Sequence, residues 1–231
     1  MVRSFNLKIN WANLPSLLGA YIMDYSTLKI DKWSNLSILG KSKSPTIYLF
    51  RHAQTLYNKR RWFTGWKDSK LTVFGKGQAK LVGEKLKGKR FEVAIHTHLS
   101  RSIDTLNAVL KYHPECNKIF IDDRMIERSY GDFSGSSHES YSKKYGEEAL
   151  KIIRRSYGSI PPHGESVKMV EKRVYGFMDE LIPWMKRNKI NVAISAHGNS
   201  MRPFRKRMEH LSIEQMMKLE NPWDDYFEYK I

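Results

Sequence analysis

The sequence predicts an α/β protein with three layers (α/β/α), in which helices cover both faces of a mainly parallel central sheet. Short runs of β-branched and aromatic residues recur from Thr46 onward, and amphipathic helical patterns separate them. Parallel strands need crossover connections of this kind, so the alternation indicates a doubly covered sheet. Two of the apolar runs lead directly into a histidine, at the strand end where open α/β sheets bind ligands.

Five segments have the composition of strands. They are predicted at residues 46–50, 92–96, 118–121, 191–196 and 226–230. Polar and small residues follow the first and the fourth of these runs at once. This pattern is typical of buried strands whose carboxyl ends open into loops.

Helical patterns occupy the intervals between the strands. One helix is predicted to begin after the capping residue Thr72 and to stop before Gly88. The longest is an amphipathic helix over residues 165–187, in which Pro183 is expected to produce a bend near the end. Further helices are predicted over residues 99–113, 200–210 and 212–219.

Residues 1–44 differ in composition from the rest of the chain. They are rich in serine and lysine, and their acidic residues are Asp24 and Asp31. Acid-poor leaders can be transit peptides, but the lysine bias and the two acids favour a surface-packed extension. We therefore predict an N-terminal extension of unknown role over 1–44 and one catalytic domain over 45–231, and organelle targeting by the extension stays open.

The composition limits which kinds of protein and which binding partners are expected. With 231 residues and 41% hydrophobic content the chain can form a sizeable core. Its net charge of +16 attracts anions, namely phosphorylated metabolites, nucleic acids or acidic membranes. The basic residues are scattered, so no nucleic-acid partner is expected. The lone Cys116 excludes an internal disulfide. No apolar stretch reaches the ~20 residues that are needed to span a bilayer. A cytoplasmic protein without a membrane partner is therefore predicted.

The two strand-end histidines predict a phosphate site. Arg51 and His52 follow the first strand, and His197 follows the fourth. A neutral imidazole is a competent nucleophile, and a guanidinium group forms paired, charge-assisted hydrogen bonds to phosphate oxygens. We therefore expect one histidine to attack phosphorus while the other stabilises the charge, and these residues alone leave open which does which.

Further motifs extend this pattern along the chain. They are Phe63-Thr64-Gly65, Ser100-Arg101-Ser102, Ile126-Glu127-Arg128, Arg154-Arg155 and Ala196-His197-Gly198-Asn199. In order and spacing they resemble the cofactor-dependent phosphoglycerate mutases of the histidine phosphatase superfamily. The resemblance covers the chain from about Thr46 to the end, and it implies the phosphoglycerate mutase-like variant of the α/β/α fold.

The resemblance also implies roles for the catalytic residues. His52 would form a phosphohistidine, while Arg51, Arg101 and His197 hold the phosphoryl group. Cationic neighbours should lower the pKa of the His52 ring and so keep it neutral. Glu127 would be the general acid and base for the substrate hydroxyl, because a partly buried carboxyl beside a phosphohistidine favours its protonated form.

Substrate contacts are implied for a second set of residues. The pair Arg154 and Arg155 would bind the substrate carboxylate or a distal phosphate, which distinguishes the mutases from simple phosphatases. For two adjacent helical residues to reach one ligand, the edge of a helix must line the pocket. The implied substrate-binding residues are Asn58, Thr64, Gly65, Arg128, Tyr130, His138, Arg154, Arg155, Gly198 and Asn199.

Some positions depart from the family pattern. Ala53 replaces a glycine, which is tolerable if φ stays negative. Trp62 stands where an arginine is common, although Arg61 is adjacent. His138 replaces a phosphate-binding lysine, so one charge of the distal clamp would become titratable. Trp223 is expected to be a core or subsurface aromatic.

The leading hypothesis is interconversion of 3-phosphoglycerate and 2-phosphoglycerate in glycolysis and gluconeogenesis. The enzyme would be primed by 2,3-bisphosphoglycerate and would use no metal. Its partner would be a small phosphorylated molecule, and a homo-oligomer is possible. The alternative is a histidine phosphatase that hydrolyses phosphate monoesters; His138 and an end at Ile231 without a basic tail would favour water as acceptor. A non-catalytic polyanion-binding scaffold is the third hypothesis, which the complete set of catalytic residues disfavours.

Overall fold

A five-stranded sheet lies at the centre of the computed structural model, which describes residues 38–231. The strands are β1 (Thr46–Arg51), β2 (Val93–His96), β3 (Lys118–Ile121), β4 (Val192–Ala196) and β5 (Tyr226–Lys230). They lie in the order β3-β2-β4-β1-β5, and only β5 runs antiparallel to its neighbour. The predicted fold class and all five predicted strands are confirmed. Apart from residues 38–44, the predicted extension lies outside the described residues.

Eight helices connect and flank these strands in the described residues. They are α1 (Leu56–Arg60), α2 (Val73–Leu86), α3 (Ser100–Leu110), α4 (His138–Tyr145), α5 (Glu147–Arg155), α6 (Val167–Asn188), α7 (Gly198–Met208) and α8 (Ile213–Lys218). The predicted helices are confirmed, with Thr72 capping α2 and α6 continuing through Pro183. None of the helices in residues 38–231 is both long and apolar enough to cross a membrane.

Alternating side chains of β1 show how the layers are built. Ile47 and Leu49 pack with α6 and α7 on one face, whereas Tyr48 and Phe50 pack with α2 and α3 on the other. Both faces of the strand are therefore buried, as expected for a parallel strand in the middle of a sheet. Such a sheet holds its strand ends in fixed positions.

Strand register determines which residues meet at the carboxyl edge of the sheet. Arg51 of β1 pairs with Ala196 of β4, so the next residues, His52 and His197, leave the sheet side by side. The His52 amide donates a hydrogen bond to the Ala196 carbonyl at 2.9 Å. On the other side of β4, strand β2 ends one residue before Thr97. Three adjacent strands thus deliver His52, His197 and Thr97 to one place.

Candidate active site

His52 is buried and its ring orientation is fixed. Its side chain lies 2% exposed, and Nδ1 is 2.8 Å from the carbonyl oxygen of Ala53. A carbonyl only accepts hydrogen bonds, so Nδ1 carries the ring proton and Nε2 keeps its lone pair. Ala53 does not have a positive φ, so its replacement of the family glycine causes no strain. The arrangement leaves Nε2 as the nucleophilic atom.

His197 lies beside His52. Their ring centroids are 5.0 Å apart, and His197 is fully buried. Burial, reinforced by the charge of Arg101, holds the pKa of both rings well below the usual value of 6.5. Both imidazoles are therefore neutral at pH 7, one as a lone-pair donor and the other as a hydrogen-bond partner.

Two arginines supply positive charge, Arg101 fully buried and Arg51 partly buried. Arg51 donates from Nη1 to the Asn221 carbonyl at 3.1 Å, and its guanidinium lies 4.9 Å from the centre of the Trp223 ring. Arg101 donates to the carbonyls of Lys67 and Gly65 at 3.0 and 2.8 Å. Burial lowers the pKa of each arginine to about 10, which leaves both charged at pH 7. Each Nε is buried without a hydrogen-bond partner in the described residues, so a donor remains for an anion.

Glu127 presents one free carboxylate oxygen. Its Oε1 accepts hydrogen bonds from the amides of Arg128 at 2.7 Å and Asn199 at 3.2 Å. Its Oε2 has no such bond within residues 38–231. A potential ligand atom of Glu127 lies within 4.8 Å of ligand atoms of both His52 and His197. The carboxyl group is thus close enough to the two imidazoles to exchange a proton with a group bound between them.

This trio of two histidines and one carboxylate could by geometry hold a metal ion. The surrounding charges oppose it. Burial and the charges of Arg101 and Arg51 depress the pKa of His52, and the positive field of the two arginines disfavours a divalent cation at that point. A phosphoryl group, which is an anion, is attracted instead.

A cavity of about 390 Å³ opens beside the buried histidines. His52, His197 and Arg101 do not line it, but their neighbours do, since Arg51 and Gly198 form part of its wall. The predicted residues that line the cavity are Arg51, Asn58, Thr64, Gly65, Glu127, Tyr130, His138, Arg154, Arg155, Gly198 and Asn199. Arg154 and Arg155 occupy the last turn of α5, which explains how adjacent helical residues reach one cavity.

A second group of cations lines the same cavity. It consists of Arg61, Arg154, Arg155 and Arg202, and we call it the distal cluster. The position of Arg155 is tied to the cavity rim, because its Nη2 donates to Glu220 Oε1 at 2.7 Å. This ion pair is exposed, with 37% and 74% of the two side chains accessible. A ligand anion can therefore compete with Glu220 for Arg155.

His138 differs from its prediction. It lines the cavity, but burial together with the charges of Arg154 and Arg61 lowers its pKa to about 4. The distal position is thus titratable, as a histidine predicts, but the ring is neutral at pH 7 and adds no charge to the clamp. It packs edge-on against Phe63, with centroids 4.5 Å apart, and its Nδ1 has no partner in the described residues.

Arg128 also differs from its prediction. The residue is fully buried and absent from the cavity wall. Its guanidinium donates to the carbonyls of Glu165, Ile153 and Ser159 at 2.6, 3.0 and 2.9 Å. We correct the expected substrate contact to a structural one, since these bonds join α5 and the segment after it to the loop that carries Glu127.

Sequence reasoning missed part of the cavity wall. Arg61 reaches it through a left-handed conformation, φ 56°, at the end of α1. Arg202 lies three residues after Asn199 on α7 and donates to its Oδ1 at 2.9 Å, and that spacing on a predicted helix could have indicated it. Trp223 is half-buried, which fits the expected subsurface position, and it lines the cavity beside Arg51. The remaining lining residues that were not predicted are Trp62, Phe63, Glu220, Asn221 and Pro222.

Comparison with known families decides the relationship. The model of the histidine phosphatase superfamily (branch 1) matches residues 47–225. The chain belongs to the histidine phosphatase superfamily. The chain is 39% identical over 181 residues to a protein of Mesorhizobium japonicum named 2,3-bisphosphoglycerate-dependent phosphoglycerate mutase, covering 77% of the chain and 87% of that protein. A Neisseria meningitidis protein of the same name is 33% identical, with 80% and 94% covered.

Solved structures share the fold. A mycobacterial glucosyl-3-phosphoglycerate phosphatase aligns with this chain at a TM-score of 0.71 and 21% identity, covering 80% of this chain and 90% of that one. A phosphoglycerate mutase from Bacillus anthracis aligns at 0.64 and 24% identity, covering 82% and 93%. At these identities the likeness concerns the fold.

Proposed function

We propose that this protein is a 2,3-bisphosphoglycerate-dependent phosphoglycerate mutase. It interconverts 3-phosphoglycerate and 2-phosphoglycerate, a step of glycolysis and gluconeogenesis, through a phosphohistidine at His52. The relatives at up to 39% identity that carry this name support the proposal. The observation on which it depends most is a cavity that opens beside a buried, neutral, oriented histidine and is lined by a cluster of arginines.

The chemistry at His52 follows from its environment. The Nε2 lone pair attacks phosphorus, the N–P bond forms, and the P–O bond to the leaving hydroxyl oxygen breaks. Glu127 donates a proton to that oxygen and takes one back when the next hydroxyl attacks the phosphohistidine. Arg51, Arg101 and His197 place hydrogen-bond donors around the phosphoryl oxygens, where negative charge is concentrated in the transition state.

The distal cluster determines which group accepts the phosphoryl group from the phosphohistidine. A phosphoglycerate carries a carboxylate as well as a phosphate, so a ligand with two anionic groups can contact both ends of the cavity. Arg154 and Arg155 would hold the group that is not transferred, with Arg61 and Arg202 beside them. A substrate held in this way presents its hydroxyl to the phosphohistidine before water does.

The residues present fit 2,3-bisphosphoglycerate as the primer. Buried donors without partners in residues 38–231 occur near His52, at Nε of Arg51 and Arg101, and the distal cluster adds further cations. Bound there, the bisphosphate supplies the phosphoryl group that loads the enzyme. The same positive field supports a reaction that uses no metal.

The proposal includes domain bounds, a cellular location and a binding partner. We place the catalytic domain at residues 45–231 and the reaction in the cytoplasm, with 1–44 as an extension of unassigned role. A small phosphorylated molecule is the expected partner, and neither nucleic acid nor a membrane is part of the proposal. A homo-oligomer stays a prediction.

One assay tests this function. Purified protein is incubated with 3-phosphoglycerate, with and without 2,3-bisphosphoglycerate, and both 2-phosphoglycerate and free phosphate are quantified. We expect 2-phosphoglycerate as the dominant product and a rate that rises with the bisphosphate. Release of free phosphate without 2-phosphoglycerate would instead establish a phosphatase.

A further inference from the structure

The peptide unit between Glu127 and Arg128 is held at both of its polar atoms. Its carbonyl oxygen, on Glu127, accepts hydrogen bonds from Nε1 of Trp66 at 2.7 Å and from Nη2 of Arg173 at 3.1 Å. Its N–H, on Arg128, donates to Oε1 of the Glu127 side chain at 2.7 Å. A carbonyl oxygen has two lone pairs, so both acceptor positions of this peptide are occupied.

Peptide planarity links the position of this carbonyl to the position of the Glu127 carboxyl group. A non-proline peptide is planar and trans, so its N–H points opposite to its C=O. Donors that fix the direction of the Glu127 carbonyl therefore also fix the Arg128 N–H, which binds Oε1. The other carboxyl oxygen, Oε2, has no hydrogen-bond partner among residues 38–231 and is left for a ligand in the cavity that Glu127 lines.

The Arg173 side chain is fixed by a buried ion pair with Glu165. Ser166 caps α6, so Glu165 immediately precedes the helix and Arg173 lies two turns into it. Nε and Nη2 of Arg173 donate to the two carboxylate oxygens of Glu165 at 3.0 and 3.1 Å. A buried ion pair is weak evidence for stability on its own, because desolvation of the two charges offsets their attraction. The role of this pair is therefore indicated by its further contacts.

These further contacts lie on both sides of Glu127. Nη1 of Arg173 donates to the carbonyl of Arg124, three residues before Glu127, at 2.7 Å. Oε2 of Glu165 accepts from the amide of Ser129, two residues after Glu127, at 2.9 Å. With the bond to the Glu127 carbonyl itself, the ion pair holds three points of one short segment. The backbone that carries the proposed general acid is fixed in this way.

We propose that Arg173 and Trp66 are positioning residues that fix the peptide after Glu127 and thereby hold the Glu127 carboxyl group in the orientation for proton transfer. Neither residue lines the cavity, so both act through Glu127. The catalytic part of this inference rests on the proposed function, in which Glu127 is the acid and base. The fixed peptide does not depend on that function.

Charge is a second way in which Arg173 influences the site. Burial and the charge of Arg101 are the main causes of the lowered pKa of His197, and Arg173 adds to the effect. Arg173→Lys separates charge from geometry, because lysine keeps the positive charge but cannot reproduce the four hydrogen bonds of the planar guanidinium. Trp66→Phe removes one donor and changes no charge.

Amide hydrogen exchange tests the orientation without reference to activity. Exchange of the Arg128 N–H, measured relative to the amides of β4, is compared in the wild type, Arg173→Lys and Trp66→Phe. We expect roughly 2- to 10-fold faster relative exchange in both variants, the effect of weakening one hydrogen bond. Arg124→Lys is the matched control, because it disrupts the buried pair of Arg124 with Asp122 and leaves both donors to the Glu127 carbonyl in place.

Kinetics supplies the second readout, a split between kcat and KM. We expect kcat for 3-phosphoglycerate to fall roughly 10- to 100-fold in Arg173→Lys and by less in Trp66→Phe, because a displaced acid slows proton transfer. KM should change little, since the distal cluster is untouched. Folded Arg124→Lys should keep the kcat of the wild type.

Three results would overturn the proposal. They are wild-type exchange at Arg128 in both variants, an unchanged kcat in both, or equal effects in Arg124→Lys. If Arg173→Lys does not fold, Trp66→Phe decides alone. Faster exchange at Arg128 in the variants of a protein that has no mutase activity would contradict the proposed function only.

Discussion

The ring of His52 donates its Nδ1–H to the carbonyl of the next residue, Ala53, at 2.8 Å. This local bond fixes which nitrogen can react, and it does so without any residue distant in sequence. The place after a strand predicted two candidate histidines, and the family resemblance implied that His52 is the nucleophile. The reactive atom could be assigned only once the backbone conformation at Ala53 was known.

Stability should depend on pH through the two buried histidines. In the unfolded chain each titrates near its usual pKa of about 6.5, whereas the folded pKa of His52 and His197 lies well below that. As the pH falls below about 6.5 the unfolded state binds protons that the folded state does not. The free energy of unfolding should then fall by up to about 1.4 kcal/mol per pH unit for each ring.

Urea unfolding at several values from pH 7 to pH 5.5 measures this slope. A His52→Asn variant serves as the control, because it removes the contribution of one ring and should flatten the dependence. An identical slope in wild type and variant would show that the folded His52 titrates as it does in the unfolded chain.

Arg155→Ala should impair turnover of 3-phosphoglycerate more than hydrolysis of a small phosphate monoester. Because Arg155 belongs to the distal cluster, the substitution should raise KM for 3-phosphoglycerate by roughly 10- to 100-fold, the effect of losing a charge-assisted hydrogen bond of about 1.5–3 kcal/mol. Hydrolysis of a small phosphate monoester, which has no second anionic group, should change little. Lys151→Ala on the exposed face of the same helix is the control for charge. Equal losses in both assays would mean that Arg155 does not bind the distal group.

Glu220→Gln should strengthen substrate binding. The Glu220 carboxylate pairs with the Arg155 guanidinium and adds negative charge to a cavity that we propose binds anions. Because the pair is exposed, its loss should lower KM for 3-phosphoglycerate by no more than about fivefold, and kcat should stay constant. Glu214→Gln, an equal charge change on α8, provides the comparison. A raised KM in Glu220→Gln alone would indicate that Glu220 orients Arg155 for the substrate.

Arg128→Lys should affect stability more than catalysis. Lysine cannot reproduce the three hydrogen bonds that the guanidinium donates to buried carbonyls. We expect the free energy of unfolding to drop by about 1–3 kcal/mol, with KM for 3-phosphoglycerate nearly unchanged in the folded protein. Thermal denaturation and steady-state kinetics on one preparation measure both. A raised KM at unchanged stability would restore the direct substrate contact that the sequence suggested.

The outcome for Arg128 illustrates where sequence reasoning succeeds and where it ends. Strand ends such as Arg51-His52 are predictable because alternating burial and a following loop mark them. The direction of a side chain inside a loop depends on contacts with distant segments, and Arg128 turns towards Ser159 and Glu165 rather than towards the cavity. Neighbouring motif residues can thus have opposite roles.

Helix α4 shows a second limit of prediction from the sequence. The segment that forms α4 is mostly polar and contains no buried residue, so no apolar period predicts it. The Ser137 side chain caps the helix by accepting a hydrogen bond from the Ser140 amide, and packing of Tyr141 on Phe63 stabilises it further. The place of Trp223 in the cavity wall was also not predictable from the sequence. An aromatic residue suggests a core or subsurface position, and only the structure shows the Arg51 guanidinium against its ring. Charge patterns alone could not place Arg61 in the cavity, because its left-handed backbone sets its direction.

The most direct measurement of the central claim is the site of phosphorylation. The enzyme is incubated with labelled 2,3-bisphosphoglycerate, quenched in base, and analysed by mass spectrometry, with a His52→Asn variant in parallel. The account predicts a stoichiometric, acid-labile phosphoryl group on His52, which 3-phosphoglycerate discharges as it is converted, and neither label nor turnover in the variant. Label on another residue, or full turnover by His52→Asn, would contradict it.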